Sequence, residues 1–403
     1  MPRPEMGAEM AQESENFEVQ QYIENNEYIK RSQTELMEQF EDLSDKESVK
    51  KSFELFAKAD VQDKKKESPE VTYHDAEHVM SEAKNGLEGL RNVSKETGIE
   101  IPKNMEKTIT VAAMMHDMGY YEKDPNFGTN KIDHETRSQQ FVEDHAEELG
   151  LSPDEVKATK IMIEGTRFAT PLFNVRDLED PSQTELKAEE QKDMLSKYGL
   201  EKDSLADLDT NERAALTGAS ILGTLDVMGG DDDYIKFVAE GLQKEFSEDK
   251  AALRSILEES GVDSKALDDT RAIQDFGEKM KKISEIVDQS EQNAQAAGKE
   301  FGRDRIETAV SEYNKIPAAQ TGEGQVKNTK YFYDFAVPTR IAKTGLVEVK
   351  SVESVNNKGE KNKSLRFVSE GSLIGEDTVV EARKNQDAIY NYFDKDIKPE
   401  GLG

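Results

Sequence analysis

The stretch ITVAAMMHD, residues 109–117, is an apolar run that ends directly in a histidine and a carboxylate. A helix that is apolar on all sides is normally buried in a protein core. A histidine and a carboxylate at the end of a buried helix cost free energy unless something pairs with them. A divalent cation is the natural partner of such a pair. The stretch therefore predicts a core helix with a metal site at its end.

The histidines support this interpretation. All five in the 403-residue chain fall between residues 74 and 145, which random placement would rarely produce. Histidine is the commonest metal ligand, and neighbouring carboxylates supply hard oxygen ligands. His74 and His78 are four residues apart, so on a helix they share one face, with Cβ atoms roughly 5–6 Å apart. Both could bind one metal, or one could bind it while the other donates a proton.

Further ligands are predicted downstream. Asp226 is a lone acid in the apolar stretch 221–226 and is the acid that most needs a cation, although an N-cap or a salt bridge would also explain it. His134 and His145 are separated by about 16 Å of helical rise, so one metal centre cannot use both. We favour His134 as a ligand of a second metal or of phosphate, because it lies nearer the loop after Asp117. His145 is predicted to be an exposed helix residue.

Composition limits the function. The chain has 53 Lys and Arg against 84 Asp and Glu, a formal charge of −31, and such a surface repels nucleic-acid backbones and anionic membranes. Cysteine is absent, which excludes disulfides and thiolate metal sites. The N-terminus lacks an apolar signal region, and no apolar run approaches about 18 residues. The default expectation is a soluble cytoplasmic protein with no membrane or nucleic-acid partner.

Periodicity predicts a mainly α protein. We expect an N-terminal helical extension, a helical bundle that carries the site, a helical connecting segment and a small α+β C-terminal domain, over residues 1–66, 67–242, 243–316 and 317–403. A charged linker is expected over residues 61–69. In the last domain, alternation predicts strands at 331–337, 345–352 and 365–368 and a helix at about 379–393. Gly119 is predicted to end the helix of residues 105–117 as its C-cap, and Ser152-Pro153 to begin another helix.

Four of these motifs, in this order, resemble those of the HD superfamily of metal-dependent phosphohydrolases. YHDAEH (residues 73–78) resembles the YHNxxH signature of its cyclic-nucleotide-phosphodiesterase-like branch, and AAMMHDMGY (112–120) the His-Asp motif that names the superfamily. DHETRS (133–138) resembles the histidine–glutamate–serine helix, and LGTLD (222–226) the terminal aspartate motif. The match covers about residues 71–240.

The resemblance implies an HD-type helical bundle and one or two divalent ions among Mn, Fe, Co, Ni, Zn and Mg. It implies that Asp117 bridges two ions and that His74 protonates the leaving oxygen. It assigns the metal ligands to His78, His116, Asp117 and Asp226, with His134 at the second ion. Three basic residues are the candidates to hold the substrate phosphate, namely Arg137, Lys160 and Arg167.

Two departures from the family pattern matter. Asp75 stands where asparagine is usual, and residues 161–166 contain Glu164 but no histidine, where binuclear relatives often have one or two. The second departure argues against a second metal held fully by protein. Motifs typical of alarmone hydrolases, deoxynucleotide triphosphohydrolases and cyclic-dinucleotide enzymes are not evident, so the substrate stays open.

The implied function is hydrolysis of a phosphodiester or phosphomonoester bond, in a nucleotide or related small molecule, by a metal-activated water. The alternative is a non-catalytic metal-binding module that senses a nucleotide or binds a partner. A di-iron oxygenase is disfavoured, because the extra carboxylates it needs are not obvious in the sequence. A nuclease pattern at Asp334, Glu348 and Lys350 is attributed to chance in an acidic chain.

Overall fold

The computed structural model describes residues 17–65, 75–121, 133–228, most of 251–313, 336–355 and 361–394. Contacts divide the chain into two units. The first comprises Met1–Tyr121, Asp133–Ile235 and Tyr331–Ile397, and the second Glu122–Ile132, Lys236–Lys330 and Lys398–Gly403. The prediction of a mainly α protein is confirmed, whereas the boundaries near residues 67, 243 and 317 and the HD-type bundle stay predictions.

The described elements of the first unit up to residue 228 are helices. They are α1 (described over residues 17–25), α2 (Glu27–Glu38), α3 (Leu43–Lys64), α4 (Ala76–Thr97), α5 (Asn104–Met115), α6 (His134–Asp144), α7 (Pro153–Thr166), α8 (Val175–Glu179), α9 (Ala188–Lys197) and α10 (Thr210–Met228), with 3-10 turns at Met118–Tyr121, Pro181–Gln183 and Leu205–Asp207. Among the described residues, no helix combines the length and the apolar character that a membrane crossing requires.

The second unit contains α11 (described over residues 253–259), α12 (Ser264–Thr270) and α13 (Phe276–Ala296). Its own core includes the buried side chains of Leu257, Leu267, Val287 and Tyr313. The helical structure predicted for this region is thereby confirmed over its described residues.

Helix α5 lies at the centre of the first unit. Every residue from Lys107 to Met115 is buried, and the helix packs against α3, α4, α7 and α10. The apolar run therefore forms the core helix that the sequence predicted. The predicted role of Gly119 was wrong, because α5 already ends at Met115 and Gly119 is not in the left-handed region. Gly119 instead permits close approach, since a Cβ there would lie 2.0 Å from the backbone oxygen of His134.

The prediction of a charged linker over residues 61–69 was wrong for residues 61–64. Helix α3 continues to Lys64, and its charged residues Asp60 and Asp63 are buried. Asp60 accepts hydrogen bonds from the Tyr22 hydroxyl at 2.7 Å and from Lys64 at 3.0 Å. This pairing lets charged residues continue the helix, and it fastens α1 to α3. Residues 66–69 of the predicted linker lie outside the described residues.

Helices α7 and α10 approach each other through glycines. A Cβ on Gly165 would lie 2.3 Å from the backbone oxygen of Ala219, and a Cβ on Gly223 would lie 2.0 Å from that of Gly165. No larger residue fits at either position without a backbone shift. Gly223 lies less than one helical turn before Asp226. The close contact with α7 therefore fixes the position of Asp226 along the axis of α10.

The C-terminal part of the first unit adds α14 (Val337–Thr344), strands β1 (Glu348–Val355) and β2 (Lys361–Val368), and α15 (Glu376–Asp394). The strands pair antiparallel, from Glu348 opposite Val368 to Val355 opposite Lys361.

The strands predicted at 345–352 and 365–368 and the helix predicted at about 379–393 are confirmed. The strand predicted over 331–337 was wrong at Val337, where Pro338 occupies the first turn of α14, and residues 331–335 lie outside the described residues. Arg340 of α14 donates to the backbone oxygens of Gly165 and Arg167 at 2.7 and 3.1 Å.

We predict that Gly223→Ala lowers the free energy of unfolding by about 2–3 kcal/mol, because the added methyl meets backbone rather than a flexible side chain. Gly86→Ala is the matched control, since its Cβ would lie nearest to side-chain rather than backbone atoms, namely the end of Leu222 at 3.1 Å and Ile109 at 3.6 Å. It should change stability by no more than about 1 kcal/mol, with the gain in helix propensity offsetting the contact. Denaturant unfolding monitored by circular dichroism measures both. Equal costs at the two positions would contradict the tight α7–α10 contact.

Candidate metal centre

Helix α4 brings two side chains to one place. Asp75 is its N-cap and accepts from the backbone N–H groups of Glu77 and His78 at 3.0 and 3.2 Å. His78 and Glu82 then follow four residues apart, on one face, and both are buried. Asparagine and aspartate cap helices about equally well. Aspartate at position 75, where the YHNxxH signature has asparagine, therefore still supports the start of the helix that carries His78.

His116 enters from the end of α5. Its Nδ1 lies 2.7 Å from the backbone oxygen of Ala113. A carbonyl oxygen only accepts, so Nδ1 carries the proton, and this fixes the ring with Nε2 directed to the other side. The Nε2 atom faces Glu82 of α4, with 3.4 Å to its Oε2 atom.

Asp226 in the last turn of α10 completes the group. Its Oδ1 atom lies 3.7 Å from His116 Nε2 and 4.0 Å from His78 Nε2. One ligand atom from each of His78, Glu82, His116 and Asp226 lies within 4.8 Å of all the others. Three helices thus converge on a single group that could hold a metal ion. The end of the apolar run, where the sequence predicted a metal site, lies in this group.

Three buried polar atoms of the centre make no hydrogen bond to the described part of the chain. Within the described part of the chain, His116 Nε2 and both carboxylate oxygens of Glu82 make no hydrogen bond. An unsatisfied buried polar atom costs about 1–3 kcal/mol, and more when it is charged. A divalent cation would satisfy these atoms together, so the residues present fit a metal.

The electrostatics of the centre require positive charge. Burial raises the pKa of Glu82 well above its usual range; His116 lowers it, whereas Asp226 and Asp117 raise it further. Burial alone would lower the pKa of His116, but Asp117 and Glu82 outweigh burial and raise it well above its usual value. Burial likewise raises the pKa of Asp226, and contact with His116 lowers it on balance. The carboxylates thus hold a proton on His116 where a bound cation would replace it.

Asp117 lies between this group and His134. Its Oδ2 atom is 3.0 Å from His116 Nε2 and 3.5 Å from His78 Nε2, while its Oδ1 atom is 3.9 Å from His134 Nε2. Ser138 connects α6 to the turn that follows α5. Its Oγ atom accepts from the Gly119 N–H at 2.8 Å and donates to the His116 carbonyl at 2.6 Å. The two oxygens of Asp117 therefore face different histidines, as a bridging carboxylate requires.

The three predicted phosphate-binding residues contact protein groups. Arg137 donates to the Gly119 carbonyl at 3.0 Å, and Lys160 pairs with Glu143 at 2.7 Å. Arg167 pairs with three acids around the centre, at 2.7, 2.8 and 3.4 Å, namely Asp133, Glu164 and Glu135. Their role toward substrate stays a prediction. The predicted proton donor His74 lies outside the described residues.

No family model, curated protein or solved structure matches this chain. The interpretation of the centre therefore depends on its own geometry.

Sequence reasoning missed Glu82. Its spacing of four from His78 is the same helical spacing that links His74 to His78, so a signal was present. In a chain with 84 acidic residues, that signal did not distinguish Glu82 from a solvated acid.

We predict that a divalent cation stabilises the chelator-treated protein, because the cation binds only the folded state. At a concentration of 100 times Kd the gain is about 2.7 kcal/mol. His116→Ala should lose most of that gain. His145→Ala is the control and should keep it, since His145 contacts Phe141 and not the centre. Thermal unfolding with Mn²⁺ and with chelator measures the gain. An equal gain in wild type and His116→Ala would contradict the assignment.

Proposed function

We propose that the protein is an HD-type metal-dependent phosphohydrolase that cleaves a phosphodiester or phosphomonoester bond in a nucleotide or related small molecule. The supporting observation is the convergence of His78, His116 and Asp226, with Asp117 beside them, at one buried point. These are the four positions to which the resemblance assigned the first metal. Their helices bring them together although three separate motifs contribute them.

Each residue has a role in this proposal. A bound divalent cation activates water near neutral pH and neutralises charge on the phosphoryl oxygens. His78, His116, Asp117 and Asp226 would hold it. Asp117, which also faces His134 at 3.9 Å, would share its second oxygen with a second ion completed largely by water.

His74 is the proposed general acid. In the sequence it directly precedes Asp75, the N-cap of the helix that carries His78. In this proposal it would donate a proton to the leaving oxygen as the ester bond breaks. A positioned acid of this kind contributes typically 10²–10⁴-fold to the rate.

One observation favours a second candidate. A di-iron oxygenase was disfavoured because extra carboxylates were not evident, yet Glu82 adds a third carboxylate to Asp117 and Asp226. Histidine and carboxylate sets with open positions are typical of iron centres that react with dioxygen. The two functions differ in their need for dioxygen: hydrolysis proceeds without it, whereas an oxygenase consumes it.

The first functional prediction concerns Asp117. We expect the Mn²⁺-loaded wild type to hydrolyse an aryl phosphodiester or an aryl phosphomonoester under anaerobic conditions, and Asp117→Ala to lose both activity and bound metal. Release of the aryl alcohol and metal analysis of the purified proteins measure this. Equal hydrolysis by the two proteins would contradict the proposal. Stoichiometric metal without turnover of these esters or of a nucleotide panel would favour the sensing module, and consumption of dioxygen would favour the oxygenase.

The second functional prediction concerns His74. His74→Ala should lower kcat by about 10²–10⁴-fold while metal content stays unchanged, because a proton donor does not hold the ion. The loss should be smaller for an ester whose leaving group needs no protonation, such as a nitrophenyl ester. His145→Ala is again the control. If His74→Ala loses the metal instead, His74 is a ligand and the assigned role is wrong.

A further inference from the structure

The proposed reaction uses His78, His116, Asp117 and Asp226 and leaves Glu82 without a role. We propose that Glu82 is a metal ligand that shifts the metal preference of the centre towards Mn²⁺ or Fe²⁺ relative to Zn²⁺. The proposal rests on the centre binding a metal and does not depend on which reaction follows.

The contacts of Glu82 place it among the donors. Its Oε1 atom lies 3.5 Å from His78 Nε2, and its Oε2 atom lies 3.4 Å from His116 Nε2. The residue is only 5% exposed, and within the described part of the chain neither oxygen makes a hydrogen bond. The carboxylate therefore faces the two imidazoles with both oxygens, as a ligand would.

Two other buried glutamates in this chain show how a structural acid is accommodated. Glu155 pairs with Lys107 at 2.7 Å and also accepts from the backbone of Ser152. Glu212 pairs with Lys157 at 2.9 Å and accepts from the backbone of Asp209. Glu82 has neither a lysine or arginine partner nor a backbone donor among the described residues. Its burial is thus explained by a cation and not by packing.

The donor count connects Glu82 to metal preference. The four converging residues include Glu82, and Asp117 lies 3.0 Å from His116 Nε2. Together they would offer two imidazoles and three carboxylates, five ligands in all, which would leave one of six positions for water or substrate. Without Glu82 the centre would offer two imidazoles and two carboxylates. Four ligands suit the tetrahedral geometry of Zn²⁺. Carboxylate-rich, six-coordinate sets suit Mn²⁺, and histidine–carboxylate sets with open positions suit Fe²⁺.

The separations between donor atoms agree with the five-ligand set that includes Glu82. Tetrahedral donors about 2.0 Å from zinc all lie about 3.3 Å from one another. Octahedral donors at about 2.1 Å lie about 3 Å apart when adjacent and about 4.2 Å apart when opposite. The observed separations include 3.0 Å, between His116 Nε2 and Asp117 Oδ2, and 4.0 Å, between His78 Nε2 and Asp226 Oδ1. The shorter one matches adjacent octahedral donors and the longer one approaches the distance between opposite donors, whereas tetrahedral donors would share one separation.

Metal binding by the full chain, without substrate, tests the proposal. Chelator-treated wild type, Glu82→Gln and Glu82→Asp would be titrated with Mn²⁺ and with Zn²⁺ in competition with a metal-sensitive dye. Glu88→Gln is the matched control, because Glu88 is an exposed acid on the same helix. Since no ester is present, the result is independent of whether the protein is a phosphohydrolase.

We expect Glu82→Gln to weaken Mn²⁺ binding by at least about tenfold, since even residues that only support a ligand cost 10–100-fold when lost. Zn²⁺ binding should change by less than about threefold, because four ligands remain. Glu82→Asp should fall between Glu82→Gln and wild type, and Glu88→Gln should match wild type. An unchanged ratio of the two affinities in Glu82→Gln, whether both fall or neither does, would overturn the proposal.

A second measurement guards against misfolding of the variant. In chelator, Glu82→Gln should unfold at the same temperature as wild type or a higher one, because the buried carboxyl group of Glu82 makes no hydrogen bond that the amide would lose. A clearly lower midpoint in chelator would show a structural role for Glu82 and would overturn the proposal.

Discussion

Three carboxylates and two imidazoles meet where α4, α5 and α10 converge, and their burial is the main electrostatic constraint on this fold. Like charges in a low-dielectric interior repel strongly, and the penalty for removing them from water adds to that repulsion. Burial raises the pKa of Glu82, and against the effect of burial Asp117 and Glu82 raise the pKa of His116, so bound protons offset part of this cost in the absence of an ion. A bound cation would replace those protons, and the proposed metal centre is therefore linked to the packing of the core of the first unit.

The surrounding helices hold these groups in place before any ion binds. Asp75 fixes the start of α4, the Ala113 carbonyl fixes the ring of His116, and the α7–α10 glycine contact fixes the position of Asp226. Ser138 and Gly119 set α6 directly against the turn that follows His116. Ligands on rigid helices with such supporting contacts bind a metal with little reorganisation. The same contacts keep His116 Nε2 and the Glu82 carboxylate oxygens close together in the absence of the ion.

Much of this could be predicted from the sequence. An apolar run that ends in a His-Asp pair predicts a buried helix whose terminal polar groups pair with other side chains. Helix α5 is such a helix. Asp226 stood out because its neighbours are apolar. Glu82 did not, because α4 is amphipathic and polar residues surround it in sequence; only the helical phase of His78 shows that it faces inward. The role of Gly119 was misjudged because close approach to His134 is a tertiary contact, which no local pattern encodes.

Anomalous diffraction from crystals grown with Mn²⁺ tests the central claim most directly. The account predicts a strong anomalous peak among the side chains of His78, Glu82, His116 and Asp226, about 2.1–2.3 Å from their donor atoms. A second, weaker peak between Asp117 and His134 would fit the bridging role of Asp117. Ordered side chains at the centre with no anomalous peak among them, at saturating Mn²⁺, would contradict the claim that the buried cluster is a metal site.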